Sequence, residues 1–288
     1  MHELAKKQAG FNALSRDQWD GFAGHRRKVS ALLGAGAERG PTRLCILGAG
    51  NSNDLDLPAL LDAHREVHLV DLDPEALGRG AERQRVTSSP SLQRHGGIDL
   101  TGLLDSIGRW TPFSPISDAD LQAMMEWPAR RVGLALPGPF DVVGSTCLLS
   151  QIIGNASCQL GVSHPRFIEA VRAIRLGHLR LMAQLARPGG QLVLITDVVS
   201  SDALPMLTST PEESLIDLLP KLARRGGLIH GVNPFDLLEV FTRDPVLSSS
   251  TTDLKPITPW FWRLHARVYL VWALCCRTRR LGPFQGSS

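Results

Sequence analysis

The chain has 288 residues, 43% of them hydrophobic and 20% charged, with 31 Lys and Arg set against 28 Asp and Glu. This balance describes a globular protein and not a disordered one, and a formal charge of +3 permits a nucleic-acid partner without demanding one. Five cysteines without CxxC spacing exclude a zinc-finger pattern and predict reduced, buried thiols, so no metal site is expected.

In chain order, "MHELAKKQAGFNALSRDQW" has no continuous apolar stretch of the kind a secretory signal carries. The most apolar late segment, "VYLVWALCC", is too short for a bilayer and reads as a buried strand, so a cytoplasmic protein without a membrane span is expected. Ser15 is predicted to start a helix, with Gln18 completing a capping box. Trp19, Phe22, Val29 and Leu33 fall near one face of it, while Arg26, Arg27 and Lys28 lie mostly off that face. "GAGAERGP" supplies the stop. This divides the chain into an N-terminal helical cap, residues 1–40, and an α/β domain, residues 41–288.

From Arg43 strands and helices alternate. "RLCILGAG" reads as a buried strand, "DLPALLDAH" as a helix, "EVHLVDLD" as a strand and "PEALGRGAERQR" as a helix with Pro at its first position. "GGIDLTGLL" gives a short strand or turn, and residues 105 to 139 are irregular around one short helix. "FDVVGSTCLLSQII" is the next strand with its exit, followed by a long helix from about Pro165 to Ala186 and the turn and strand "RPGGQLVLITDVV". Helices near "PEESLIDLLPKLARR" and "PFDLLEVFTR", a loop containing "TPWFW", and the strand "ARVYLVWALCC" complete the pattern. Such alternation predicts a parallel sheet covered on both faces, with its ligand beyond the carboxyl ends of the strands.

Gly48 and Gly50 lack Cβ atoms, so the backbone can turn sharply and let a ligand lie against it. A dinucleotide fingerprint would need a small residue at position 53 and a free helix N-terminus for the pyrophosphate. Position 53 is Asn, and Asp54 and Asp56 sit at that helix start, where carboxylates satisfy the dipole and repel phosphate. Asp71 ends the second strand 21 residues after Gly50, the separation of an acid that accepts from ribose hydroxyls; capping the helix at Pro74 is the alternative, and Asp73 could do that as well. An adenosine compound without phosphate fits these residues, and S-adenosylmethionine, with more positive than negative groups, suits nearby acids.

These segments resemble those of the class I S-adenosylmethionine-dependent methyltransferases, in that family's order, over roughly residues 40 to 200. "CILGAGNSND" is similar to the glycine-rich first motif, implying Gly48, Gly50 and Asn51 as cofactor contacts. "VHLVDLDPEAL" is similar to the second, which implies Asp71 on the ribose and Leu72 beside the adenine. "GGIDLTG" implies Asp99 and Leu100 flanking the adenine, and "FDVVGSTCLLS" implies Ser145 and Thr146 beside the methionine moiety. The third glycine of the family's pattern is Ser52 here. The resemblance implies a Rossmann-like, doubly wound, mostly parallel sheet with "ARVYLVWALCC" as a reversed last strand inserted into it.

Methyl transfer is an in-line displacement that needs few dedicated residues, so no catalytic residue is assigned. The chain lacks an Asn/Asp-Pro-Pro-aromatic run and a Pro-Cys pair after the fourth strand, which turns attention from amides, exocyclic amines and cytosine C5. Candidate acceptor contacts are Gln151 and Asn155 beyond that strand, His164 before Pro165, and Trp260 in "TPWFW"; ordinary capping, loop or packing roles stay open for each. His178 reads as structural. A small metabolite or natural product is the expected acceptor. RNA or protein methylation, and a non-catalytic cofactor-binding subunit, are the alternatives.

Overall fold

The computed structural model describes residue 10, residues 12–36 and residues 42–280. A seven-stranded sheet in the order β3-β2-β1-β4-β5-β7-β6 forms its centre. β1 (Arg43–Leu47), β2 (Glu66–Val70), β3 (Leu92–His95), β4 (Phe140–Thr146) and β5 (Ala186–Ser200) pair in parallel. β7 (Arg267–Thr278) is antiparallel to β5 on one side and to β6 (Thr251–Leu264) on the other. The reversed strand inserted near the sheet edge is thus present where the resemblance implied it.

The apolar run of β1 serves two cores at once, as a strand covered on both faces must. Leu44 and Ile46 pack with Val29 and Leu33 of α1 (Ala23–Gly34), Leu60 of α2 (Leu57–Ala63) and Leu77 of α3 (Pro74–Arg83). Cys45 and Leu47 face the opposite core, built with α5 (Leu148–Leu160) and α6 (Phe167–Leu185). A further helix, α4 (Asp118–Trp127), carries a complete capping box between Ser117 and Asp120 in the stretch read as irregular. α7 (Leu215–Arg225) and α8 (Pro234–Arg243) follow β5 as expected.

Four expectations are corrected. Ser15 does not start a helix: it ends a short helical segment, donates to the Asn12 carbonyl, and Gln18 Nε2 reaches back to Leu14 O, so no capping box forms. A tight turn at Trp19–Phe22 intervenes, and α1 begins at Ala23. β3 escaped notice because its central residues Gln93 and Arg94 are exposed, leaving no apolar alternation to read. "TPWFW" is no loop; it lies within β6. β4 also ends earlier than the sequence suggested, with Cys147 in the left-handed region (φ 49°) turning the chain into α5. The expected stop of the first helix lies partly outside the described residues.

Where β1 and β4 separate their connections to opposite faces, the order of the sheet reverses. A crevice opens there, between the turn after β1 and the start of α5.

Candidate functional site

The turn after β1 is held open by its glycines. Gly48 has φ 78° and Gly50 φ 45°, and a Cβ on Gly48 would stand 2.8 Å from Leu148 Cβ at the start of α5. Gly48 and Ala49 both donate to the Val70 carbonyl, at 2.9 and 3.2 Å, which locks the turn to the end of β2. Asp71 then receives Gly50 N–H on Oδ2 at 2.8 Å and Asp73 N–H on Oδ1 at 2.9 Å. Burial pushes its carboxyl above the usual range, against those two backbone bonds. The cap of α3 falls to Asp73, which accepts from Glu75 N and Ala76 N. Asp71 is left facing the crevice.

That crevice is lined by Gly48, Gly50, Asp71, Leu72, Ile98 to Thr101, and Leu148, Gln151, Ile152 and Asn155 of α5. About 720 Å³ of empty space lies within it, open solvent at the mouth included. Leu72 and Leu100 supply apolar surface. Asp99 lines the rim, but its Oδ1 accepts from Thr101 N and Oγ1 (2.9 and 2.6 Å) and its Oδ2 from Leu104 N (2.8 Å). Its carboxylate shapes the loop. Gln151 and Asn155, four apart on one helix face, both reach the crevice.

A second, wider chamber continues from Gly48 and Gly50 past the end of β4 to β5, β6 and β7, with about 1420 Å³ of empty space, open solvent included. Thr146 lies here, 2% exposed, with its hydroxyl turned to the Asp54 carboxyl. Asp54 also lines it, pushed up to about 6 by burial, with Arg26 among the groups opposing that rise. The sequence set Asp54 and Asp56 together at a helix start; Asp56 alone caps α2, accepting from Ala59 N, and Asp54 turns into the chamber. Asp197, at a bulge in β5, forms the far wall and accepts from the Ser150 hydroxyl. Burial raises its carboxyl too, and burial followed by the nearby Asp197 raises the Cys147 thiol, which stays protonated at neutral pH. Trp262 stacks on His25 (4.7 Å) and on Tyr269 (4.6 Å), the single tyrosine of the chain.

Other expected contacts sit elsewhere. Ser145 is fully buried and bonds His178 Nε2 at 2.8 Å, away from both spaces; burial depresses that histidine to about 4. Asn51 spends its side chain on Asn12 O, Ser15 Oγ and Arg79 Nε. His164 accepts Arg166 N–H at Nδ1 (3.1 Å), which makes Nε2 the donor to Ser114 O (2.9 Å). It braces the entry to α6. Trp260 is 1% exposed and donates to His25 Nδ1 at 3.1 Å, so it packs α1 to the sheet and is no wall of the site. Arg26 donates to Trp19 O and Asn53 O, and is not aimed at the chamber.

The reading from sequence missed Asp197 and Tyr269 as lining residues, while Trp262 belongs to the "TPWFW" cluster it had offered as a wall. Asp197 closes the apolar run "LVLIT" at a strand's carboxyl end, a signal available in principle; Tyr269 carries none, because it starts a strand that runs the other way. Among the described residues no group of three or more His, Cys, Asp and Glu is placed to hold a metal ion, and no helix is long and apolar enough to cross a membrane.

No protein-family model and no curated protein matches the chain. Solved structures that are similar to it include the YcgJ protein of Bacillus subtilis, 13% identical, covering 89% of this chain and 100% of that one with a TM-score of 0.44. Magnesium protoporphyrin IX methyltransferase of Synechocystis PCC 6803, solved with bound S-adenosylhomocysteine, is 14% identical over 92% of this chain and 86% of its own, TM-score 0.46. An rRNA methylase of Streptococcus thermophilus is 9% identical over 83% and 88%, TM-score 0.42.

Proposed function

We propose that the chain is a class I S-adenosylmethionine-dependent methyltransferase acting on a small molecule. One observation carries this reading: Asp71 stands beside Gly50 at the crevice, relieved of helix capping by Asp73, while the N-terminus of α2 is closed by Asp56. A ribose has an acceptor, and a pyrophosphate has no seat.

The residues fit the cofactor. Asp71 keeps a second lone pair on each oxygen for ribose hydroxyls. Leu72, Ile98 and Leu100 offer apolar surface to an adenine. The Asp54 carboxylate, with the Thr146 hydroxyl beside it, supplies an acceptor for an ammonium. When bound, the cofactor supplies an activated methyl on sulfur, with a neutral thioether as leaving group. The protein's part is to fix the acceptor in line, exclude bulk water and take a proton where the acceptor carries one.

Calorimetry tests the reading. S-adenosylmethionine and S-adenosylhomocysteine should bind and NAD should not; preference for NAD overturns it. Labelled-methyl transfer into a small-molecule extract rather than into total RNA or protein is the expected outcome. Label in RNA or protein would move the acceptor class, and binding without any transfer would make the chain a cofactor-binding subunit.

A further inference from the structure

The second chamber holds more negative charge than the cofactor needs. Asp54 and Asp197 both line it. Among the described residues lining it, Arg267 is the cation, and it is committed to Asp202 and to the Tyr269 hydroxyl (3.1 Å). Nearby cations are engaged too: Lys28 with Glu212 at 2.7 Å, and Arg26 with two carbonyls. His25 is neutral, since burial depresses it to about 3. S-adenosylmethionine, with two positive groups and one negative, offsets one carboxylate. The other would remain without a counter-ion, which a partly desolvated carboxylate tolerates poorly.

The two acids are also ordered in space. Asp54 feels the charge of Asp71, on the ribose side. Asp197 acts on Tyr269, on the side of the aromatic wall, and Cys147 lies under the influence of both acids. The bulge between Asp197 and Val199 breaks the regular β5 ladder where the carboxylate is presented.

Resting on the cofactor reading above, we propose that the methyl acceptor is an amine carried on an apolar or aromatic body, its ammonium paired with Asp197 and its body laid against Trp262 and Tyr269. Trp262 is covered on its faces by His25 and Tyr269 and offers its edge, and a carboxylate lining the same chamber favours a cation over a neutral or anionic group of the same shape. Carboxylates and phosphorylated acceptors meet repulsion at Asp197. In the reaction, the ammonium gives one proton to the Asp197 carboxylate, and the freed nitrogen lone pair attacks the methyl carbon. The new N–C bond forms as the C–S bond breaks, its electron pair passing to sulfur, which leaves as a thioether. Charge balances: two cations and one carboxylate become one methylated ammonium, one neutral thioether and one carboxylic acid, whose proton escapes through the open chamber.

The test is calorimetry on the full chain saturated with S-adenosylhomocysteine, using phenethylamine, phenethyl alcohol and hydrocinnamate as probes of one shape. The amine should bind about tenfold tighter than the alcohol, and the acid should be weaker still. Asp197→Asn should abolish the preference while S-adenosylhomocysteine affinity stays unchanged, and Trp262→Leu should weaken all three probes together. Equal binding of amine and alcohol, no binding of the amine, or a preference that survives Asp197→Asn overturns the proposal while the cofactor reading stands. Wild-type protein that fails to bind S-adenosylhomocysteine overturns the cofactor reading itself. The comparison of probes on wild-type protein decides the matter even if a variant does not fold.

Discussion

Gly50 donates its backbone N–H to Asp71 Oδ2 at 2.8 Å, so the glycine turn after β1 and the acid that ends β2 form one rigid unit. The bond orients the carboxylate and leaves its remaining lone pairs toward the crevice. Binding geometry is thereby fixed before any ligand arrives, which lowers the ordering cost of binding.

Asp71→Ala should weaken S-adenosylhomocysteine by about 1.5–3 kcal/mol, the worth of hydrogen bonds to a charged group. Calorimetry with thermal unfolding separates this from loss of the Gly50 and Asp73 bonds. Unchanged affinity would remove the ribose role.

Gly48→Ala and Gly154→Ala form a contrasting pair. At Gly48 the φ of 78° and a Cβ 2.8 Å from Leu148 predict a loss of about 2 kcal/mol or more, with impaired cofactor binding. Gly154, on α5, has open space where a Cβ would go, so alanine there should stabilise by about 0.4–1 kcal/mol. Urea midpoints at constant m-value measure both. Equal effects would mean that the turn after β1 is not under the constraint described.

Asp54→Asn should stabilise the free protein at neutral pH. The folded carboxyl is pushed from 3.8 up to about 6 by burial, so the folded state binds more protons than the unfolded one between those values. The penalty is therefore absent below 3.8, grows as pH rises and is complete above about 6. The gain on substitution should reach at most about 3 kcal/mol above pH 6 and vanish below pH 4. Unfolding curves across pH read it directly. S-adenosylmethionine affinity should fall in the same variant, and a pH-independent gain would refute the assignment.

Trp260→Phe removes the donor that satisfies His25 Nδ1, a nitrogen that burial keeps neutral. A loss of about 1–3 kcal/mol in stability is expected, with cofactor affinity unaltered. Trp262→Phe, two residues on and facing the chamber, should show the reverse: near-native stability and changed acceptor binding. A common effect of both would mean that the two indoles share one role.

Legibility from sequence followed the range of the interaction. The β1 strand, the Gly48 and Gly50 turn, Asp71 at the end of β2 and the strand β7 were readable, because each is set by local rules: apolar runs, missing Cβ atoms, the spacing between a turn and the next strand end; the reversal of β7 followed only from the family resemblance. The same holds for the helix Pro234–Arg243, whose Pro and capping Asn233 mark its start. Ser145 and Thr146 show where such reading stops. They are adjacent, yet β-strand alternation sends one to His178 and the other into the chamber, and that choice depends on which face of β4 the helices cover.

The acceptor side was decided by tertiary structure alone. Trp262 and Tyr269 face each other across the hairpin turn between Leu264 and Arg267, and Asp54 and Asp197 come from segments far from it; they join because β7 enters the sheet between β5 and β6. The hairpin fixes the Trp262–Tyr269 register locally, but nothing in the spacing along the chain brings that pair to Asp54 and Asp197. A polypeptide's own dihedral preferences write its turns and strand ends into the sequence, whereas contacts between distant segments exist only once buried surface has fixed the order of the strands.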